Sequence, residues 1–153
     1  MAKFWIGISG WQYPDFNERF YPDDLKKTEQ LSYYAQNFST VEINNTFYQL
    51  PQSETIQNWV DQTPEDFLFS IKASRYITHM KNLLEPGETL PNFFECISYF
   101  GEKCGPILFQ LPPHWKINLE RLENFLGHLP EEYRYTFELR NETWLKEETY
   151  GLL

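Results

Sequence analysis

The stretch Thr40-Val41-Glu42-Ile43-Asn44 alternates apolar and polar side chains, and four other short segments repeat this alternation. Successive side chains of a β-strand point to opposite faces of its sheet. The alternation therefore predicts five strands, each with one apolar and one polar face. The predicted strands are Trp5–Ser9, Thr40–Asn44, Phe67–Lys72, Ile107–Leu111 and Tyr135–Arg140.

The polar side chains gather towards the carboxyl ends of these strands. One face collects Ser9, Glu42, Asn44, Ser70, Lys72, Gln110, Glu138 and Arg140. The other face collects Ile6, Ile8, Val41, Ile43, Phe69, Ile71, Ile107, Phe109, Phe137 and Leu139. A parallel sheet with helices on both sides is apolar on both faces. A polar face at the strand ends is instead typical of the mouth of a (β/α)8 barrel, where barrel enzymes keep their active sites.

Helical periodicity separates the strands, so the chain is predicted to be an α/β fold with five βα units. The predicted helices are Asp24–Asn37, a helix capped by Ser53, Pro91–Lys103, Leu119–His128 capped by Asn118, and Trp144–Leu153 capped by Thr143. Gly105 is expected to end the helix that starts at Pro91. The units recur about every 32 residues, close to the roughly 31 residues per unit of a full barrel.

The fold prediction is therefore the N-terminal five βα units of a TIM-like (β/α)8 barrel, with the C-terminal units missing. Residues 1–153 are expected to form one incomplete domain. The alternative is a five-stranded doubly wound α/β sheet, whose length also fits. The first strand–helix junction, Ser9-Gly10-Trp11-Gln12-Tyr13, has no phosphate-cradling glycine pattern, which disfavours that alternative.

Composition limits the function classes and the compartment. The net charge of −9 argues against general nucleic-acid affinity, which needs an excess of Lys and Arg. Cys96 and Cys104 are expected to lie on one helix about 12 Å apart, too far for a disulfide, and to stay reduced. The sequence has no signal-peptide pattern and no apolar run near 18 residues, so a cytoplasmic protein without membrane association is expected.

Three ionisable side chains on the polar face are the candidate catalytic residues. A carboxylate inside a barrel is rarely tolerated without a partner. For Glu42 the expected partner is Lys72 on the next strand. The pair is either structural or a general acid/base whose pKa is tuned by burial and the lysine. Glu138 supplies a second carboxylate, and its separation from Glu42 would decide between the two glycosidase geometries.

Six further residues at or just beyond the strand ends are candidate ligand-binding residues. They are Trp11, Asn44, Tyr48, His79, Gln110 and Arg140. Aromatic rings stack on sugars or bases, and the cations and imidazole suit an anionic or polar ligand. Glu42, His79, Glu138 and His114 are the residues from which a metal site would be assembled. No local ligand motif supports one, so no metal site is predicted and the cofactor is left open.

A series of ordered motifs resembles the YecE-like family, which carries domain of unknown function 72. They include Ile8-Ser9-Gly10-Trp11, Phe20-Tyr21-Pro22, Thr40-Val41-Glu42-Ile43-Asn44, Thr46-Phe47-Tyr48, Phe69-Ser70-Ile71-Lys72, Ile77-Thr78-His79, Leu108-Phe109-Gln110-Leu111-Pro112-Pro113 and Phe137-Glu138-Leu139-Arg140. The resemblance runs from Ile8 to Leu153. It implies a TIM-barrel-like fold and leaves the reaction open. Because family members continue for about another hundred residues, the chain is expected to be a fragment, half of a split protein, or a protomer completed by association.

The functional hypothesis from the sequence is a hydrolase-like enzyme acting on a polar, sugar- or nucleotide-like ligand at the barrel mouth. The alternatives are a nucleic-acid-binding module, which uses the aromatic and cationic side chains, and an inactive barrel fragment. Steep weakening with salt would distinguish nucleic-acid binding from binding of a neutral small molecule. The exposed first and fifth strands are expected to favour self-association or binding of a complementary C-terminal fragment.

Overall fold

The computed structural model describes residues 3–153. These residues contain one parallel sheet of five strands. The strands are β1 (Gly7–Ser9), β2 (Thr40–Ile43), β3 (Leu68–Lys72), β4 (Cys104–Leu111) and β5 (Tyr135–Leu139). Strands that follow one another in the chain also lie side by side, and all four pairs are parallel. The α/β class and the five parallel strands are confirmed. The sheet is open, as the five-stranded alternative also predicts.

Helical segments connect the strands. The α-helices are α1 (Gln30–Asn37), α2 (Asn45–Tyr48), α3 (Ser53–Asp61), α4 (Pro86–Thr89), α5 (Pro91–Ser98), α6 (Leu119–Leu126) and α7 (Glu147–Leu152). Short 3-10 helices cover Pro14–Phe16, Lys27–Glu29, Gly101–Lys103 and Glu142–Trp144, and a π-helical turn covers Tyr76–Met80. In the described part of the chain, no helix has the length and apolar character needed to cross a membrane.

Burial alternates along the central strands as the sequence predicts. The apolar positions of β2, β3 and β4 are buried, whereas most of their polar neighbours keep partial exposure. The buried face packs in one core with side chains from α1, α3, α5 and α6, including Leu31, Ile56, Phe93, Leu122 and Phe125. Each such side chain contributes about 1.5–3 kcal/mol through its burial. The helix-covered face therefore stabilises the sheet, and the opposite face keeps the polar groups accessible.

The first strand is shorter and more exposed than predicted. It begins at Gly7, and Ile6 and Ile8 are 70% and 39% exposed, so their placement in the buried face is wrong. The physical reason is position, because β1 is an edge strand and no element within residues 3–153 covers this part of it. Tyr34 of α1 fastens β1 to β2. Its hydroxyl accepts a hydrogen bond from the Ile8 amide and donates one to the Thr40 carbonyl, both 2.9 Å.

Several predicted helix ends are wrong. Helix α1 begins at Gln30, because Lys26 is extended and the chain first forms a 3-10 turn. Asn118 caps α6 as predicted, since its Oδ1 accepts a hydrogen bond from the Arg121 amide at 2.9 Å. Ser53 makes no capping bond, and its hydroxyl instead donates to Glu54. The last helix, predicted from Trp144 with Thr143 as its cap, begins at Glu147, and Thr143 lies in a preceding 3-10 turn that the Asn141 side chain caps.

Gly105 lies in β4 instead of ending a helix, and Cys104 is the first residue of that strand. The helix from Pro91 already ends at Ser98. A Cβ atom at position 105 would lie 2.9 Å from the Phe69 carbonyl oxygen, close to the irregular register of β3 and β4. Glycine therefore permits the close approach of the two strands. Cys96 and Cys104 are both free, as predicted, although they do not share a helix.

Candidate functional site

The carboxyl ends of β1 and β2 bring a carboxylate, a hydroxyl and an amide together. Ser9 and Glu42 are register partners in the sheet. The Ser9 hydroxyl donates to Glu42 Oε1 at 2.8 Å, and it accepts a hydrogen bond from the Asn44 Nδ2 amide. The polar face predicted from strand alternation therefore forms a chain from amide to hydroxyl to carboxylate. The hydrogen bond from Ser9 fixes Oε1 of Glu42, and Oε2 remains available to a ligand.

A cavity of about 200 Å³ lies beside this carboxylate. Its lining consists of Gly10, Trp11, Gln12, Tyr13, Glu42, Ile43, Asn44 and Asn45. Gly10 has φ +77°, a left-handed conformation that turns the chain from β1 into the loop. Trp11 packs edge-on against Trp59, with ring centroids 5.4 Å apart. The cavity thus combines an oriented carboxylate, side-chain amides and an aromatic ring, which is the composition of a polar ligand site.

A second polar group lies at the carboxyl ends of β4 and β5. Gln110 Nε2 donates to Glu138 Oε2 at 2.7 Å, and Arg140 Nε donates to Glu138 Oε1 at 2.5 Å. Burial opposes ionisation of Glu138, but these hydrogen bonds, with the charges of Arg140 and Lys72, hold its pKa below the ordinary 4.5. Glu138 is therefore ionised at neutral pH, and both of its oxygens are occupied by partners.

Lys72 and His79 converge on one aromatic ring. The Lys72 ammonium and the His79 imidazole each lie 5.1 Å from the centre of the Phe47 ring. Thr46 ties α2 to the end of β3 through a 2.6 Å hydrogen bond to the Lys72 carbonyl. Burial lowers the pKa of His79, and the charges of Arg140, Lys72 and His114 lower it further. The imidazole is therefore neutral at pH 7, with Nδ1 2.9 Å from the Thr78 hydroxyl.

The expected pairing of Glu42 with Lys72 is wrong. Within residues 3–153, the ion pairs closer than 4.0 Å are Lys81–Glu85 and Glu138–Arg140. Glu42 takes its hydrogen bond from Ser9, whereas the Lys72 ammonium lies over the Phe47 ring and acts on Glu138 and His79. Strand alternation places Glu42 and Lys72 on the same face of the sheet, but it does not bring them into contact.

The structure divides the predicted site residues into two groups and leaves one aside. Trp11, Glu42 and Asn44 line the cavity, whereas the second group comprises Lys72, His79, Gln110, Glu138 and Arg140. Tyr48 is 71% exposed and lies outside that cavity.

Three strand spacings of about 4.8 Å separate the strands of Glu42 and Glu138 along the sheet. In the described residues, no three His, Cys, Asp or Glu side chains are placed to hold a metal ion.

Sequence reasoning does not single out Phe47 or Asn45 as site residues. Phe47 supplies the ring that Lys72 and His79 share, and Asn45 completes the cavity wall. Both lie in the short helix α2, which begins directly after Asn44. The available signal is the run of polar and aromatic residues from Asn44 to Tyr48, immediately after a strand.

Comparison with known proteins gives consistent matches over nearly the whole chain. The UPF0759 protein YecE of Escherichia coli K12 is 32% identical over 138 residues, which cover 90% of this chain and 48% of that protein. The UPF0759 protein YunF of Bacillus subtilis 168 is 25% identical over 95% of this chain and 54% of its own length. The chain therefore spans about half the length of these curated relatives.

Solved structures of similar proteins share the fold. A DUF72 family protein from Thermotoga maritima MSB8 is 32% identical, with a TM-score of 0.81 over 97% of this chain and 60% of that one. A DUF72 family protein from Enterococcus faecalis V583 is 20% identical, with a TM-score of 0.77 over 96% of this chain and 54% of that one. The family model described as "Protein of unknown function DUF72" matches residues 5–153. The chain therefore belongs to the DUF72, or YecE-like, family.

Proposed function

We propose that residues 1–153 form the first five βα units of a TIM-like barrel, as one incomplete domain. The strand order supports this proposal, because it runs from β1 to β5 without the reversal typical of a doubly wound sheet. The half-exposed polar positions of β2 and β3 also support it, since helices on both sides would bury both faces. In a barrel, this polar face becomes the interior and its carboxyl end becomes the mouth.

We infer that this mouth binds and hydrolyses a polar, sugar- or nucleotide-like ligand. The observation that supports the inference best is the orientation of Glu42, which Ser9 holds on the wall of a cavity lined by Trp11. One carboxylate oxygen is fixed, so the other has a defined position relative to a group in the cavity. A carboxylate placed in this way exchanges a proton with the attacking water or with the leaving group.

Glu138 and Lys72 are the other proposed catalytic residues. Glu138 is ionised at neutral pH, so it is suited to stabilising positive charge in the transition state. The Lys72 ammonium has the opposite charge and is suited to an oxyanion. Trp11, Asn44, Gln110 and Arg140 orient the ligand in this proposal. Closure of a barrel brings β2 and β5 towards each other across the interior, which would place both carboxylates around one ligand.

The test is hydrolysis of 4-nitrophenyl glycosides and of bis(4-nitrophenyl) phosphate by the purified chain. Glu42→Gln should lower kcat/KM by about 10²–10⁴-fold, the usual contribution of a general acid or base. Glu65→Gln is the matched control, because Glu65 is exposed in the loop before β3. Hydrolysis that survives Glu42→Gln, or that Glu65→Gln removes equally, would contradict the proposal.

Nucleic-acid binding is the second candidate, and the cationic side chains around His79 favour it. The net charge of −9 weighs against it, because phosphate backbones are bound through a surplus of cations. Titration of a fluorescent oligonucleotide at increasing salt distinguishes nucleic-acid binding from hydrolysis of a small polar ligand. Affinity that falls steeply with salt and is lost in Lys72→Gln would favour nucleic acid over a small molecule.

We also propose a reducing, cytoplasmic environment. Cys96 and Cys104 are free thiols, and burial raises the pKa of both, that of Cys104 to about 11. Thiols of high pKa form little thiolate at neutral pH and react slowly with oxidants. Cysteines that are not joined in a disulfide are typical of proteins in a reducing compartment.

A further inference from the structure

The basic side chains of the polar face are concentrated on one half of the sheet. The half formed by β1 and β2 presents Ser9, Glu42 and Asn44, which carry no cation. The half formed by β3, β4 and β5 presents Lys72, His79 and Arg140. This concentration stands out in a chain with 22 acidic and 13 basic residues. The two halves would therefore recognise chemically different parts of one ligand.

We propose that Lys72, His79 and Arg140 bind a phosphate group carried by the substrate. This inference rests on the hydrolase proposed above and narrows its substrates to phosphorylated polar molecules. Arg140 supplies guanidinium donors beyond the Nε–H that it gives to Glu138, and Lys72 supplies an ammonium. Among residues 3–153, no carboxylate lies within 4.0 Å of the Lys72 ammonium. That ammonium is therefore available to an external anion.

The surroundings of His79 explain why an anion is favoured there. His79 packs against the Phe47 ring on α2 and lies beside the Thr78 hydroxyl. The charges of Arg140 after β5, Lys72 on β3 and His114 after β4 act on its imidazole. Glu138 is the nearby carboxylate, and both of its oxygens already accept hydrogen bonds from Gln110 and Arg140. The charges of Lys72 and Arg140 consequently disfavour the protonated form of His79, and a bound dianion would offset that effect.

Binding of phosphate should therefore be coupled to proton uptake by His79. Burial and the neighbouring cations lower the pKa of His79 and keep the imidazole neutral, whereas a dianion beside it favours the imidazolium form. The protonated ring then adds a donor to the anion, so phosphate and proton bind with positive coupling. The half of the face around Glu42 is left for the uncharged part of the substrate.

The experiment is an NMR titration of the His79 ring in the purified chain, with and without inorganic phosphate. Phosphate should raise the apparent pKa of His79, and the ring signals of exposed His128 should show no response to phosphate. Lys72→Gln should raise the Kd for phosphate about tenfold or more, as expected for loss of a charged hydrogen bond. Lys72→Arg should largely restore binding, which separates the loss of charge from a folding defect. Lys81→Gln, which removes a lysine paired with Glu85, is the matched control.

Glucose 6-phosphate and glucose identify the source of the anion. If the anion belongs to a phosphorylated substrate, glucose 6-phosphate should bind more tightly than inorganic phosphate. Glucose should leave the apparent pKa of His79 unchanged. Equal affinity for the two phosphates would contradict the link to a substrate. An unchanged His79 pKa, or equal weakening by Lys72→Gln and Lys81→Gln, would overturn the anion site. In that case Glu42-dependent hydrolysis of a neutral glycoside would leave the proposed hydrolase standing.

Discussion

At the scale of single residues, the choice of partner separates the two halves of the candidate site. Glu42 has Ser9 as its partner, and Glu138 has Gln110 and Arg140. Strand alternation predicts which side chains share a face, because parity follows directly from the sequence. It does not predict which of them touch, since that depends on side-chain reach and on rings such as Phe47, which lies outside the strands.

A double-mutant cycle distinguishes the observed partner of Glu42 from the expected one. Ser9→Ala combined with Glu42→Gln should show a coupling free energy of about 0.5–1.5 kcal/mol, typical of one hydrogen bond. Lys72→Gln combined with Glu42→Gln should show less than about 0.5 kcal/mol, because the two side chains form no ion pair. Urea unfolding of the six chains measures both values. A larger coupling to Lys72 than to Ser9 would contradict the observed geometry.

Glu138 should make folding stability depend on pH in acid. Its pKa is lowered in the folded chain, so its ionised form stabilises the fold above the ordinary value of 4.5. That contribution is lost as the pH falls through the lowered value. Because the Glu138 side chain is 40% exposed, it amounts to less than about 1 kcal/mol.

Urea unfolding at pH 7 and pH 3 measures this contribution. Glu138→Gln should be less stable than the parent chain at pH 7, and the difference should shrink at pH 3, because the contribution of the ionised carboxylate is lost progressively as the pH falls below 4.5. Glu65→Gln provides the control, because this exposed residue has no comparable hydrogen-bond partners on the polar face. A difference that stays constant or grows in acid would show that the charge of Glu138 does not stabilise the fold.

At the scale of elements, the sequence predicts the strands well and the helix ends poorly. The strands combine alternation with apolar β-branched and aromatic residues, so two signals agree. Helix ends depend on capping geometry that residue type alone does not determine. Asn118 caps its helix and Ser53 does not, although both are good capping residues. Gly105 illustrates the same ambiguity, because glycine suits both a helix end and a close strand approach.

Gly105→Ala tests whether β3 and β4 require this close approach. The added methyl group would meet the Phe69 carbonyl oxygen at 2.9 Å, a backbone atom that cannot rotate away. We expect a loss of about 1–3 kcal/mol in the free energy of unfolding, as for other overpacked positions. Gly151→Ala is the control, because a Cβ there meets nothing within 4 Å. Similar stabilities of the two variants would mean that the strands have room to separate.

At the scale of the whole molecule, the open sheet leaves two edges and uncovered apolar side chains. Phe4 is 81% exposed and Ile6 is 70% exposed, both beside the β1 edge. Unpaired edges favour pairing with another chain. We propose that β1 and β5 pair with further strands in a complete barrel. A complementary C-terminal fragment would supply these strands, or a second copy of this chain would pair with the edges in their place.

Sedimentation velocity of the purified chain tests this proposal. The sedimentation coefficient should rise with concentration as copies associate. Ile6→Lys should weaken that association, because a charge at the edge disfavours strand pairing. Tyr150→Lys, at an exposed position on α7, should leave it unchanged. A chain that stays monomeric at every concentration would contradict the proposal and favour a self-sufficient five-stranded sheet.

Ligands are expected to bind at the carboxyl ends of the strands, on the polar face. NMR shift mapping with a library of small polar fragments measures where they bind. The amide shifts should change around Ser9, Glu42, Lys72 and Glu138. Shifts confined to the opposite end of the sheet, in the groove between Phe4, Phe38 and Pro64, would contradict it.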